Sequence, residues 1–101
     1  MDKNIFFKAY EVEGKTKFNI DDIIEISKKT IKNFSVSYEI DTDSVLYNKS
    51  FFVTHEPVWY VDIISLFNKV HWPDAYETLV ISDVTGKAIY KLNDHGVPFI
   101  I

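Results

Sequence analysis

The chain contains no cysteine, so disulfides, thiolate metal sites and a cysteine nucleophile are all excluded. It contains no arginine either: all 11 basic residues are lysine. Without a guanidinium there is no bidentate grip on phosphate, carboxylate or guanine, and no arginine finger. Glutamine is absent as well, and Lys, Ile, Asn, Phe and Tyr are abundant, as in the product of an AT-rich genome. Only three glycines occur, Gly14, Gly86 and Gly96, each where a turn is expected. With no Gly-rich phosphate loop, no dinucleotide fingerprint and no serine–histidine–acid arrangement, nucleotide hydrolysis, dinucleotide chemistry and acyl transfer are disfavoured. No apolar run approaches the roughly 18 residues a membrane span requires. The opening MDKNIFFKAY lacks a hydrophobic core of signal-peptide length, which points to a cytoplasmic protein with no membrane partner.

What is present is an ordinary globular balance, 47% hydrophobic and 26% charged over 101 residues. That suits one domain over residues 1–101, with a core large enough to fold without staples. The net charge of −4 is unevenly spread. Residues 1–32 carry seven lysines against six acids, whereas residues 33–101 carry four against nine. Nucleic-acid binding depends on neutralising phosphate and is disfavoured, while a basic protein partner is favoured.

The stretch Pro57–Trp72, PVWYVDIISLFNKVHW, predicts one amphipathic helix around which the rest packs. Pro57 suits a first helical turn and Pro73 stops the element. Trp59, Tyr60, Ile63, Ile64, Leu66, Phe67 and Val70 fall on one face at 100° per residue, with Val61 the misfit. Before it, residues 4–13 read as a first strand with apolar groups on both faces. Asn19 then caps a first helix, with Asp22 placed for a capping box. Ile20, Ile23, Ile24, Ser27 and Ile31 share its inner face, and Glu25 can pair with Lys29. Phe34–Ile40 alternates as a strand with Phe34, Val36, Tyr38 and Ile40 inward, and Asp41–Ser44 reads as a turn. Val45–Thr54 would be the return strand, with a bulge at Lys49. Glu77–Ser82 and Lys87–Leu92 form a hairpin about Asp83–Gly86, a type I signature. Val97–Ile101 is an apolar tail that adds an edge strand, covers the core or docks on another molecule.

These elements predict an α+β fold in the order β-α-β-β-α-β-β, a ferredoxin-like variant with both helices on one face of an antiparallel sheet. Within it the candidate partner-binding residues are Glu39, Asp41 and Asp43, which alternate into the turn after the second strand, and Trp72, Asp74, Tyr76 and Glu77, which join large aromatics to acids. The acidic edge also suits plain solvation that discourages aggregation, and the aromatic loop also suits simple packing. A calcium-loop reading of the edge fails because the glycine at the bend and the distal glutamate are missing. His55, His71 and His95, with Asp62 and Glu56, are the raw material for a metal or acid–base site, but no metal-binding spacing is present. No catalytic residue, metal or cofactor is therefore expected. The favoured function is a small acidic interaction protein of the inhibitor or immunity type that blocks a basic toxin or nucleic-acid-processing enzyme. The alternatives are a small-ligand-binding or self-associating domain, including a homodimer, with its ligand between the sheet and the Trp59–Phe67 helix, and a metal-assisted hydrolase using His55, Asp62 and His71.

Overall fold

A computed structural model describes residues 6–101; the start of the expected first strand, at Asn4 and Ile5, lies outside the described residues. The fold is α+β and dominated by a seven-stranded antiparallel sheet. In chain order the elements are β1 (Phe6–Lys8), a 3-10 turn (Ala9–Val12), α1 (Ile20–Ile31), β2 (Tyr38–Ile40), β3 (Leu46–Asn48), β4 (Val58–Ser65), α2 (Leu66–His71), β5 (Glu77–Ser82), β6 (Ala88–Leu92) and β7 (Pro98–Ile100). This order differs from the ferredoxin-like one expected from the sequence.

The largest correction concerns residues 57–72. Val58–Ser65 is the central strand, and only Leu66–His71 is helical. Trp59, Val61 and Ile63 point to one face of the sheet and pack with Tyr47, Leu79, Ile81 and Ile23. Val58 and Tyr60 point to the other and pack with Phe51 and Val80. A strand buried on both faces shows neither a two-residue nor a 3.6-residue period, so its continuous apolar run imitates a helix. Its density of Val, Ile, Trp and Tyr favours the pleated conformation. Val61, the misfit on a helical face, is fully buried as a strand residue.

The second correction concerns Asp41–Ser44, which does not reverse the chain. β2 pairs with the end of β4 (Ile40↔Ile63) and β3 with its beginning (Leu46↔Tyr60), both antiparallel. β2 and β3 are therefore collinear halves of one strand, in which residues 41–45 oppose only residues 61 and 62. The extra residues form a bulge, closed by Asp41 N–H to the Asp62 carbonyl at 2.9 Å and Asp62 N–H to Ser44 Oγ at 2.8 Å. The strands at either side are shorter than expected. Val36 is exposed rather than inward, and the strand begins only at Tyr38. At Lys49 the chain leaves the sheet instead of bulging. The loop that follows tucks Phe51 under the sheet against Tyr60 and Tyr90, closed by His55 N–H to the Phe51 carbonyl at 2.7 Å.

One face is covered by α1, which begins with the expected capping box: Asn19 Oδ1 accepts from Asp22 N–H and Asp22 Oδ2 from Asn19 N–H. Ile23 and Ser27 are fully buried beneath it, and Glu25 meets Lys28 rather than Lys29. α2 buries none of its own residues and reaches Glu39 on the other face, so the two helices do not share one. β5, the Asp83–Gly86 turn and β6 form the hairpin read from the sequence, and the tail supplies β7 on the sheet's edge. Asp83 ties the hairpin to the α1 side. Its buried carboxylate accepts from Lys17 N–H (3.0 Å), Phe18 N–H (3.1 Å) and Trp59 Nε1–H (2.9 Å). Among the described residues no helix is long and apolar enough to cross a membrane.

Candidate protein-interaction site

Ser65 is both the last residue of β4 and the cap of α2, its Oγ accepting from Asn68 N–H at 3.1 Å. The six-residue helix stops at Trp72, whose N–H reaches the Asn68 carbonyl and which Pro73 holds out of helical geometry. A helix this short has no stability of its own in water. It is carried by the buried central strand and by Leu66 N–H on the Ser37 carbonyl at 3.0 Å.

None of its residues is buried. Leu66 (44% exposed), Phe67 (62%), Val70 (77%) and Trp72 (59%) form an apolar knob, with Tyr76 (37%) beyond it. Phe67, His71 and Trp72 cluster through their rings, at 4.3 Å for Phe67–His71 and 5.7 Å for Phe67–Trp72. Asp74 is exposed in the adjoining turn. The knob is a fixed projection rather than a loose segment, because both ends of α2 are hydrogen-bonded.

The acids expected to join it divide into two groups. Glu39 lies opposite Ile64, on the sheet face away from α1, and its carboxylate meets Lys69 of α2 at 2.6 Å. That pair is half exposed and so worth at most about 1 kcal/mol, leaving Glu39 available to an incoming cation. Asp41 and Asp43 sit on the bulge, where Asp41 Oδ1 accepts Asp43 N–H at 3.0 Å. Asp41 adjoins Asp62, whose pKa is raised by burial and, to a smaller extent, by the Asp41 charge, against the lowering effect of the Thr78 hydroxyl.

Glu77 is committed elsewhere. It lies opposite Ile63, on the α1 face, so it and Glu39 point away from each other across the sheet. Its carboxylate accepts from Tyr38 Oη at 2.5 Å and pairs with Lys91 Nζ at 3.0 Å, with its side chain only 18% exposed. Lys91 Nζ also stands over the Phe34 and Tyr38 rings at about 5.5 Å. Burial works against the Lys91 charge, but the bonds to Glu77 and Tyr38 outweigh it and its pKa stands above the ordinary value. The Tyr38 hydroxyl is raised too, by burial first and then by Glu77. This trio ties β2 to β5 and β6 on the α1 face.

The histidines are not brought together. His55 precedes β4 and His71 ends α2, so the eight-residue strand, about 25 Å long, separates them. His95 is exposed beside Asp94. Among the described residues no three His, Cys, Asp or Glu side chains group as a metal site. The expected ligand space against a Trp59–Phe67 helix does not exist, because that helix is a strand. A cleft of about 780 Å³ instead lies between the start of α1 and the bulge, lined among others by Tyr10, Phe18, Asp21 and Asp43.

Phe67 and Val70 are the functional candidates that sequence periodicity places wrongly, on a core face. The available signal was Ser65 three residues before Asn68, a helix start inside the presumed helix. Compared with protein-family models, curated proteins and solved structures, the chain matches none of them.

Proposed function

We propose that this protein binds and blocks a basic protein partner, in the manner of an inhibitor or immunity protein, with the α2 knob as the anchor. The observation that carries this reading is that no residue of α2 is buried while Leu66, Phe67, Val70 and Trp72 are exposed to solvent. Burying one such side chain is worth about 1.5–3 kcal/mol, a gain open only to a partner that covers it. Trp and large apolar groups on a rigid support are the usual energetic centre of an interface. Glu39, paired with Lys69 of α2, and Asp74 in the adjoining turn supply the acidic surround, Asp41 and Asp43 extend it along the bulge opposite Val61 and Asp62, and Glu77 leaves the set. Negative charge there speeds encounter with a cationic surface and can occupy a site built for phosphate, such as that of a toxin or nucleic-acid-processing enzyme.

The test is capture by the tagged protein from its native host at low and high salt, beside Val70→Asp. Val70 is 77% exposed, so the substitution removes no buried contact, and an unchanged far-UV spectrum checks that the variant is folded. A basic protein retained at low salt, reduced at high salt and lost with Val70→Asp supports the reading. A partner held equally by wild type and variant, or a complex indifferent to salt, contradicts it. The second reading, a small-ligand domain, is favoured only by the cleft beside α1, and there a ligand would raise the melting temperature without touching Val70.

A further inference from the structure

β7 ends the sheet, and no described residue pairs with its outer side. On its inner side Asn93 N–H donates to the Val97 carbonyl, Ile101 N–H donates to the Ile89 carbonyl, and Lys91 lies opposite Phe99. Successive residues of an antiparallel strand turn their backbone groups to opposite sides. Val97, Phe99 and Ile101 therefore face β6, leaving the Pro98 carbonyl and both backbone groups of Ile100 to face outward. Every side chain from Val97 to Ile101 is apolar, and Ile100 is 82% exposed. Exposed edges are ordinarily guarded by lysine, inward charge or a bulge. Here the guard is Pro98 alone, which removes one donor.

We propose that β7 pairs with the same strand of a second copy, antiparallel about Phe99, so that two sheets join across a two-fold axis. In that register Phe99 opposes its own counterpart and Val97 opposes the counterpart of Ile101. Each Ile100 N–H donates to the opposite Pro98 carbonyl, while the return bond to each Ile100 carbonyl is missing because proline has no N–H. The occupant is a copy of this chain because the edge matches itself, apolar residue against apolar residue, in a symmetric contact. Charge points the same way. A chain of net charge −4 repels its copies on most approaches, whereas residues 96–101 carry no charged side chain, so a basic partner finds little to pair with there. Five residues span about 17 Å, short of a standard interface, so the association is concentration-dependent. This inference uses a different surface from α2 and stands apart from the proposed function.

The test is sedimentation velocity of the whole chain from about 1 to about 300 µM. A shift from monomer to dimer is expected, with the dissociation constant raised at least about tenfold by Ile100→Lys, which sets two like charges diagonally across the strand pair. Ile100→Pro, which deletes the outward donor without adding charge, should act in the same direction, while Val70→Asp should leave the dimer alone. A monomer at every concentration, a dimer undiminished by both Ile100 variants, or a dimer lost with Val70→Asp would overturn the proposal.

Discussion

Asp83→Ala tests whether one buried carboxylate holds the hairpin, the central strand and the α1 side together. The side chain is 6% exposed and accepts three hydrogen bonds, from Lys17 N–H, Phe18 N–H and Trp59 Nε1–H. Bonds to a charged acceptor contribute about 1.5–3 kcal/mol each, and truncation also leaves donors without partners. The three share one group and are not additive, so a combined loss of about 3–5 kcal/mol is expected. In a domain of about 100 residues each kcal/mol moves the melting temperature by about 4–8 °C, so a fall of more than about 12 °C follows. Urea unfolding with an unchanged m-value measures the loss at equilibrium. Trp59→Phe, which removes a single donor, should cost about 1.5–3 kcal/mol in the wild type beyond its packing loss, and less in the Asp83→Ala background. An Asp83→Ala protein within about 1 kcal/mol of wild type would refute the reasoning, as would additive behaviour of the pair.

Two other perturbations have signs fixed by the structure. At Gly86 φ is +73°, and an added Cβ would stand 2.6 Å from the Phe18 ring. Gly86→Ala should therefore destabilise by more than the roughly 1 kcal/mol of backbone strain alone, whereas Gly14→Ala, with φ +77° and open space, should cost only the strain; equal melting temperatures for the two would contradict this. Asp62 has a pKa raised chiefly by burial, so its charge works against folding at pH values above the raised pKa, and that cost disappears once the acid is protonated in both states. Asp62→Asn should accordingly raise the melting temperature at neutral pH, with the gain shrinking as pH falls through the raised pKa; a gain that grows on acidification would reverse the sign.

The sequence shows those elements whose signals are local. α1 is announced by Asn19 and Asp22, and the β5–β6 hairpin by Asp83 and Gly86 with alternation on either side. The central strand is hidden because burial on both faces erases its period, and because Pro57 and Pro73 bracket a strand-plus-helix as readily as one helix. Asp41–Ser44 has the composition of a reversing turn, yet the β4 residues that it meets, Val61 and Asp62, make it a bulge; that outcome depends on a partner strand, not on the turn residues. The same limit governs the site. The chemistry of Trp72, Asp74 and Tyr76 is legible as aromatic and acidic, but the exposure of Phe67 and Val70 is decided by where the sheet ends. The withdrawal of Glu77 into an ion pair with Lys91 depends on the register of β5 on β6.

The central claim is that the α2 knob is the surface a partner covers, and tryptophan fluorescence reads it directly. Trp59 is 1% exposed and Trp72 is 59% exposed, so the fraction open to a collisional quencher in the free protein is Trp72. Acrylamide quenching of the free protein and of its complex, with Trp59→Phe to isolate Trp72, is the measurement. Partner binding should abolish quenching of Trp72 and shift its emission to the blue. A complex in which Trp72 stays as quenchable as before would contradict it.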